Sequence, residues 1–378
     1  MSAFINPKIL KLARKKAGYS IEEAAKSYIN PEKLRKAEKG EADLTFKQFL
    51  AIANVYKRSP AFFYLKKPPK EEVIEKKRDF RTIESRDVRF SPLLRDKIKR
   101  IREKREFAVN FKSYDREHDY SFLSSITIKE NPEFVGKKIR ELLGINLRDR
   151  KNWKTKYDAF NAWKEKIEDL GILIFQISKI DVDEMRGYSI SKKPYPTIVL
   201  NRSDSVLGRI FTLIHELCHL MLQKGGICTF TQEDEKHFKI EKCCNAVAGA
   251  VLVPKDMLFK VEKIRHYDSS KEWSEKELND LKRVFWASKE VILRRLLIFE
   301  KTNKKFYQKK RTEWLGYSKP SRSGGPPPHI KVISGNSKSY IRNALNAMDN
   351  GDITMQDASY YLGMSLKHLP KLRKGISD

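Results

Sequence analysis

Residues 215–219 are His-Glu-Leu-Cys-His, inside the segment GRIFTLIHELCHLML. On a helix, His215 and His219 stand four residues apart, so both imidazoles leave one face and can grip a single Zn²⁺. Glu216 is beside them, where a carboxylate can serve as general base toward water. An H-E-x-x-H string alone is a modest signal. Here nearly every other position from Val206 to Leu222 is apolar, which predicts a buried helix. A buried helix must satisfy two imidazoles and a carboxylate, and a metal ion does so.

Catalytic zinc takes three protein ligands and keeps one position open. The downstream candidates are Glu233, Asp234, Glu235, His237 and Glu241. The first four fall in the polar stretch TFTQEDEKHF, read as a loop, whereas Glu241 begins a helical run, EKCCNAVAGAVLVP. On that helix Glu241, Asn245 and Ala248 share a face. The small residues Ala246, Ala248, Gly249 and Ala250 would let it approach the His-Glu helix closely. A ligand on a packed helix is held more firmly than one on a loop, which favours Glu241, with His237 as the alternative. The four cysteines are Cys218, Cys228, Cys243 and Cys244, and no C-x-x-C pair occurs. A disulfide framework is therefore not expected. Thiols near a cation are activated, which would open a redox route to the site. The simpler reading makes them small apolar filler.

Three strands are expected just upstream, at Ile172–Ser178, Gly187–Ser191 and Thr197–Asn201. A small mixed sheet beside such a helix can bind a peptide backbone by strand addition. Asn131-Pro132 opens a helix ending near Gly144, and another covers Tyr157–Leu170. The fold class that follows is α+β, with helical units on both sides.

The N-terminal unit is all α. Asn6-Pro7 starts a helix that Gly18 ends, and Ser20-Ile-Glu-Glu23 is a capping box. Asn30-Pro31 opens PEKLRKAEK, which Gly40 stops. Thr45–Tyr56 forms a fourth helix, and Ser59-Pro60 starts a fifth. Short helices with a tight second-to-third turn are the helix-turn-helix pattern. Charge agrees with that. The chain of 378 residues carries 78 Lys+Arg against 49 Asp+Glu, a net charge of +29. Residues 1–70 hold 16 basic and 6 acidic groups, and residues 302–378 hold 14 and 5. Basic ends of this kind imply a polyanionic partner, DNA or another nucleic acid. Lys33, Arg35 and Lys36 on the third helix are the candidate contacts.

After a charged linker, Ser91–Phe111 reads as a long basic helix. A Pro/Gly/Ser-rich stretch, SKPSRSGGPPPH, precedes a last helical unit. Its GDITMQDASYYLGMSLKHLPKLRKG echoes GYSIEEAAKSYINPEKLRKAEKG, with Ser20 over Thr354, Ala24 over Ala358 and Gly40 over Gly375. The divisions are thus 1–66, a helix-turn-helix domain; 67–125, charged linker and basic helix; 126–302, the metal domain; 303–330, a basic linker; and 331–378, a helical, helix-turn-helix-like unit. No run of 18 apolar residues occurs and the first residues lack a signal-peptide core, so a cytoplasmic protein without membrane partners is expected.

FTLIHELCH followed by EKCCNAVAGAVLVP resembles the ImmA/IrrE family of zinc metallo-endopeptidases. The residues carrying the resemblance are Phe211, Thr212, His215, Glu216, His219, Glu241, Asn245, Ala248, Leu252 and Pro254. The front end, with DFRT at 79–82, resembles the XRE-type helix-turn-helix that often precedes this peptidase domain. The resemblance implies a zincin-like domain with His215, His219 and Glu241 as Zn²⁺ ligands and Glu216 as general base. It further implies cleavage of a specific regulatory protein, such as a repressor, to control gene expression or a stress or mobile-element response. The protein partner could also be a toxin encoded nearby. A non-proteolytic alternative is a DNA-binding transcription regulator or antitoxin-like protein that uses the zinc domain for sensing or docking. Three departures from the family pattern stand out: Cys218 for the usual glycine, Cys243-Cys244 before Asn245, and Val247 where Phe is preferred. In the helix-turn-helix, Glu32 opens the recognition helix, where a carboxylate repels phosphate.

Overall fold

The computed structural model describes residues 2–25, 28–67, 90–112, 117–145, 149–222, 235–315 and 326–377. The expected linker before residue 90 lies largely outside these residues, as do DFRT and Cys228. Two compact units are present, one from residues within 1–103 and one from those within 104–378.

The first unit contains β1 (Ser2–Ala3), α1 (Pro7–Ala17), α2 (Ile21–Ala25), α3 (Pro31–Lys39), β2 (Leu44–Thr45) and α4 (Phe46–Val55). The capping residues sit where their chemistry requires. Asn6 and Asn30 accept from the Lys8 and Glu32 N–H groups, and Gly18 and Gly40 end their helices at φ 85° and 83°, the left-handed region open to glycine. Ser20 and Glu23 exchange bonds of 2.8 and 3.0 Å. Two features differ from the sequence expectation. The segment after Ser59-Pro60 is one 3₁₀ turn, Pro60–Tyr64, that lays Phe63 edge-on to Phe49. The β1–β2 pairing is two residues long, too short to show any alternation. A buried bidentate pair, Arg14 to Glu38 at 2.6 and 2.8 Å, bolts α1 to α3.

Helix α5 (Pro92–Asn110) contributes to both units. The second unit continues with α6 (Pro132–Leu142), α7 (Lys156–Glu168), β3 (Leu173–Ile177), β4 (Gly187–Ile190), β5 (Thr197–Asn201), α8 (Val206–Leu222) and α9 (Glu235–Leu252). Central β5 runs parallel to β3 and antiparallel to β4, so β4 is an edge of this three-stranded sheet. Every residue of β4 and β5 is buried, so neither strand alternates between core and solvent. Five helices follow: α10 (Lys255–Leu258), α11 (Glu262–Arg265), α12 (Glu275–Phe285), α13 (Lys289–Ile298) and α14 (Lys304–Leu315). The sequence placed 304–315 in a basic linker. Its aromatic residues decide otherwise, since Phe306 and Tyr307 are buried in the domain core.

The chain ends with α15 (Pro328–Gly335), α16 (Lys338–Asp349), α17 (Met355–Leu362) and α18 (Leu369–Ser377). These helices close the outer edge of β3. Ser337 Oγ accepts from the Ile174 N–H at 2.5 Å and donates to its carbonyl at 3.3 Å. Lys164 Nζ reaches Asn336 O at 2.8 Å, and Tyr340 packs edge-on to Phe175. Gly375 does not act as Gly40 does: it lies within α18, where its missing Cβ leaves room for Ile333. No helix is long and apolar enough to cross a membrane, among the described residues.

Candidate metal centre

Helix α8 supplies most of the site. Ser205 caps it by accepting from the Gly208 N–H, and fourteen of its residues are buried. His215 and His219 leave the same face, with their Nε2 atoms 3.1 Å apart. Glu241 comes from α9, Oε2 at 3.2 Å from His215 Nε2 and Oε1 at 3.0 Å from His219 Nε2. All three side chains are buried, and they form a cluster whose donor atoms converge as metal ligands do. A tetrahedral ion about 2.0–2.1 Å from each donor would set those donors roughly 3.3 Å apart. The observed spacings of 3.0–3.2 Å therefore fit one small ion held by two imidazoles and a carboxylate.

Electrostatics agree with that fit. Burial alone would raise the Glu241 carboxyl, but the two imidazoles outweigh it and hold the group well below the usual carboxylate range. Glu216 is buried one residue from His215, and Ser189 Oγ on β4 donates to its Oε2 at 2.8 Å. Gly187 makes that contact reachable. A Cβ there would meet Thr212 Cγ2 at 2.5 Å and the Val199 carbonyl at 2.9 Å, so only glycine lets β4 pass this close to α8. Sequence reasoning found neither Ser189 nor Gly187, because their partners lie far along the chain.

Helix α9 starts at Glu235, earlier than expected, because nothing in EKHF breaks a helix. Glu241 thus sits inside the helix rather than at its start. Glu235 and His237 belong to α9 rather than a loop, and Glu233 and Asp234 lie outside the described residues. The small residues of α9 divide their work: Ala250 lies against Gly136 of α6, and Gly249 leaves room for Arg295. Three arginines hold the other end of α9. Arg140 donates to Ala250 O at 2.8 Å; Arg150 donates to Leu252 O at 2.6 Å and Val251 O at 2.9 Å; Arg295 donates to Val253 O at 2.9 Å. Carbonyls at a helix C-terminus have no partners of their own, and cations there also suit the helix dipole.

The cysteines line the same helix pair. Cys218 and Cys244 are fully buried and Cys243 partly so, all as free thiols. Of the two readings, activation by a nearby cation and packing as small apolar filler, packing is the simpler, and the protein contacts alone raise all three thiols. Cys218 is lowered by its bond to Cys243, yet Cys244 and burial outweigh this and raise it well above a normal thiol. Burial pushes Cys244 up to about 11, and the contact with Cys218, then burial, raises Cys243. The burial of Cys218 and Cys244 suits the packing role.

The DNA-contact candidates lie on α3, in the other unit. Lys33 Nζ donates to Gln48 at 3.1 Å. Arg35 is held between Glu22, at 3.1 Å, and Glu32. Of the three, Lys36 alone is exposed rather than partly buried.

A family model matches residues 167–297: the M78 peptidase model, described as the IrrE N-terminal-like domain. The match spans the sheet, α8 and α9, and so contains His215, Glu216, His219 and Glu241. It supports the ImmA/IrrE resemblance and a metallopeptidase domain over that segment, and it does not extend to the N-terminal helices. Comparison with curated proteins and with solved structures gives no match.

Proposed function

We propose that the chain is a zinc-dependent endopeptidase acting on a specific regulatory protein. The observation that carries this reading is the convergence of His215, His219 and Glu241 in a buried cluster with Glu216 beside it. The two imidazoles and the Glu241 carboxylate would hold Zn²⁺. When bound, the ion would polarise a peptide carbonyl and make water more acidic. Glu216 then takes the proton of the attacking water and passes it to the leaving amine. Ser189 orients Glu216 through its Oε2, so the base is aimed before substrate arrives. Edge strand β4, which ends beside the site, suits an extended peptide backbone added to the sheet.

Zinc content and cleavage of a co-encoded repressor-type protein test the reading together. Wild type should bind one zinc and cut. Glu216→Gln should keep zinc and lose cutting, because the amide cannot accept the proton. Glu241→Ala should lose zinc; full retention would move the third ligand to His237. Full zinc with no cleavage of any co-encoded partner would favour the non-proteolytic regulator.

A further inference from the structure

The C-terminal helices repeat the devices of the N-terminal helix-turn-helix. Thr354 and Asp357 form a capping box at the start of α17, as Ser20 and Glu23 do before α2. Ala358 is buried one turn on, as Ala24 is. Gly363, at φ 70°, turns the chain out of α17. A 3₁₀ turn, Leu366–His368, then leads into α18. The inner side of α18 is occupied: Leu369 and Leu372 are buried, and Gly375 lies against Ile333 of α15.

The outer side is a row of cations. Lys371 and Lys374 are exposed on α18, three residues apart and so on one face of it, and Lys367 is exposed on the 3₁₀ turn that leads into it. No ion pair engages them among the described residues. Among the carboxylates of this unit, Asp349 pairs with Arg373 and Asp357 is held in its capping box. From Lys367 to Lys374 the turn and helix rise about 10–14 Å, at 1.5–2.0 Å per residue, comparable with the width of a DNA major groove. Ser365 and Leu366 are exposed at the leading end, where a recognition helix reaches base edges. On α3 the comparable positions are weaker, since Arg35 is neutralised by Glu22 and Glu32.

We infer that α17 and α18 form a duplex-DNA-binding surface whose phosphate contacts are Lys367, Lys371 and Lys374. This is independent of the peptidase reading, because a chain without a general base would bind equally well. Its ligand is recognised by charge and groove width, and the attachment of α15 and α16 to β3 fixes the surface on the second unit.

The test is fluorescence anisotropy of the full chain with a short labelled duplex of random sequence, across a salt series. The triple variant Lys367→Ala, Lys371→Ala, Lys374→Ala should lower the slope of log affinity against log salt by about one per lysine. The triple Lys→Arg variant should keep the slope, which separates lost charge from lost fold. Lys33→Ala, Arg35→Ala, Lys36→Ala should change it less than the C-terminal alanines do. An unchanged slope in the C-terminal alanine variant overturns the inference. So does tighter binding to single-stranded RNA of the same length, or no duplex binding by wild type.

Discussion

Methionine in place of Arg150 should cost the second unit about 3 kcal/mol. Arg150 is almost fully buried and makes two bonds to carbonyls at the end of α9, at 2.6 and 2.9 Å, with its guanidinium 5.3 Å from the Trp163 ring centre. A hydrogen bond from a charged donor contributes about 1.5–3 kcal/mol, so two give roughly 3–6. The ring contact adds about 0.5–2 kcal/mol. Against these stands desolvation, which pulls the Arg150 pKa down to about 9, leaving it charged at neutral pH. The buried Nε, without a partner among the described residues, is a further cost of about 1–3 kcal/mol that the substitution removes. Buried ion pairs can be replaced by apolar residues at little cost when both charges leave. Here the acceptors are backbone carbonyls, which stay behind unsatisfied, so the loss wins. In a thermal melt, about 3 kcal/mol corresponds to a fall of roughly 6–12 °C for a domain of this class. Arg150→Lys should recover part of it. A methionine variant that melts within about 1 °C of wild type would refute the claim that these bonds hold the end of α9.

Glu38→Ala leaves Arg14 buried without its partner and should destabilise the first unit by about 3–5 kcal/mol; chemical unfolding followed by a probe in that unit measures it, and a loss below about 1 kcal/mol would count against the pair. Gly187→Ala forces a methyl toward Thr212 and the Val199 carbonyl and should cost about 1–3 kcal/mol; an unchanged melting temperature would show that β4 can move away freely. Cys218 and Cys244 should resist iodoacetamide at neutral pH until the protein is unfolded, as mapped by mass spectrometry. Rapid labelling of either in the folded state would contradict their burial and reopen the redox route.

What the sequence showed of the site was its local part. His215 and His219 are one helical turn apart, so their common face follows from periodicity alone. Glu241 stood out because a packed helix is a better mount than a loop, although the true start of α9 at Glu235 was hidden by the polar residues before it. Asn-Pro starts and glycine stops placed most helix ends in the first unit within a residue or two. What was hidden is long-range. Ser189 reaches Glu216 across 27 positions and Arg150 reaches Leu252 across 102, and neither pairing leaves a local pattern. Phe306 and Tyr307 sat in a basic stretch whose charge masked their burial.

The hidden contacts bear on the chemistry as much as the visible motif does. Two ligands on α8 are fixed to each other by helix geometry, but the third arrives on a separate helix, so its distance depends on where α9 lies along its own axis. From Glu241 to Leu252 is about 16 Å of helix. The arginine bonds hold the far end, and Gly136, where even a Cβ would come within 3.0 Å of Ala250, lets α6 pack closely on the flank. A helix is stiff over that length, so anchoring its end holds Glu241 against the two imidazoles. Damage to the arginine set should therefore weaken metal affinity before it unfolds the domain. Loss of Ser189 should leave metal affinity alone, because its bond goes to Glu216. The two kinds of positioning are separable by measuring metal binding and turnover on the same variants.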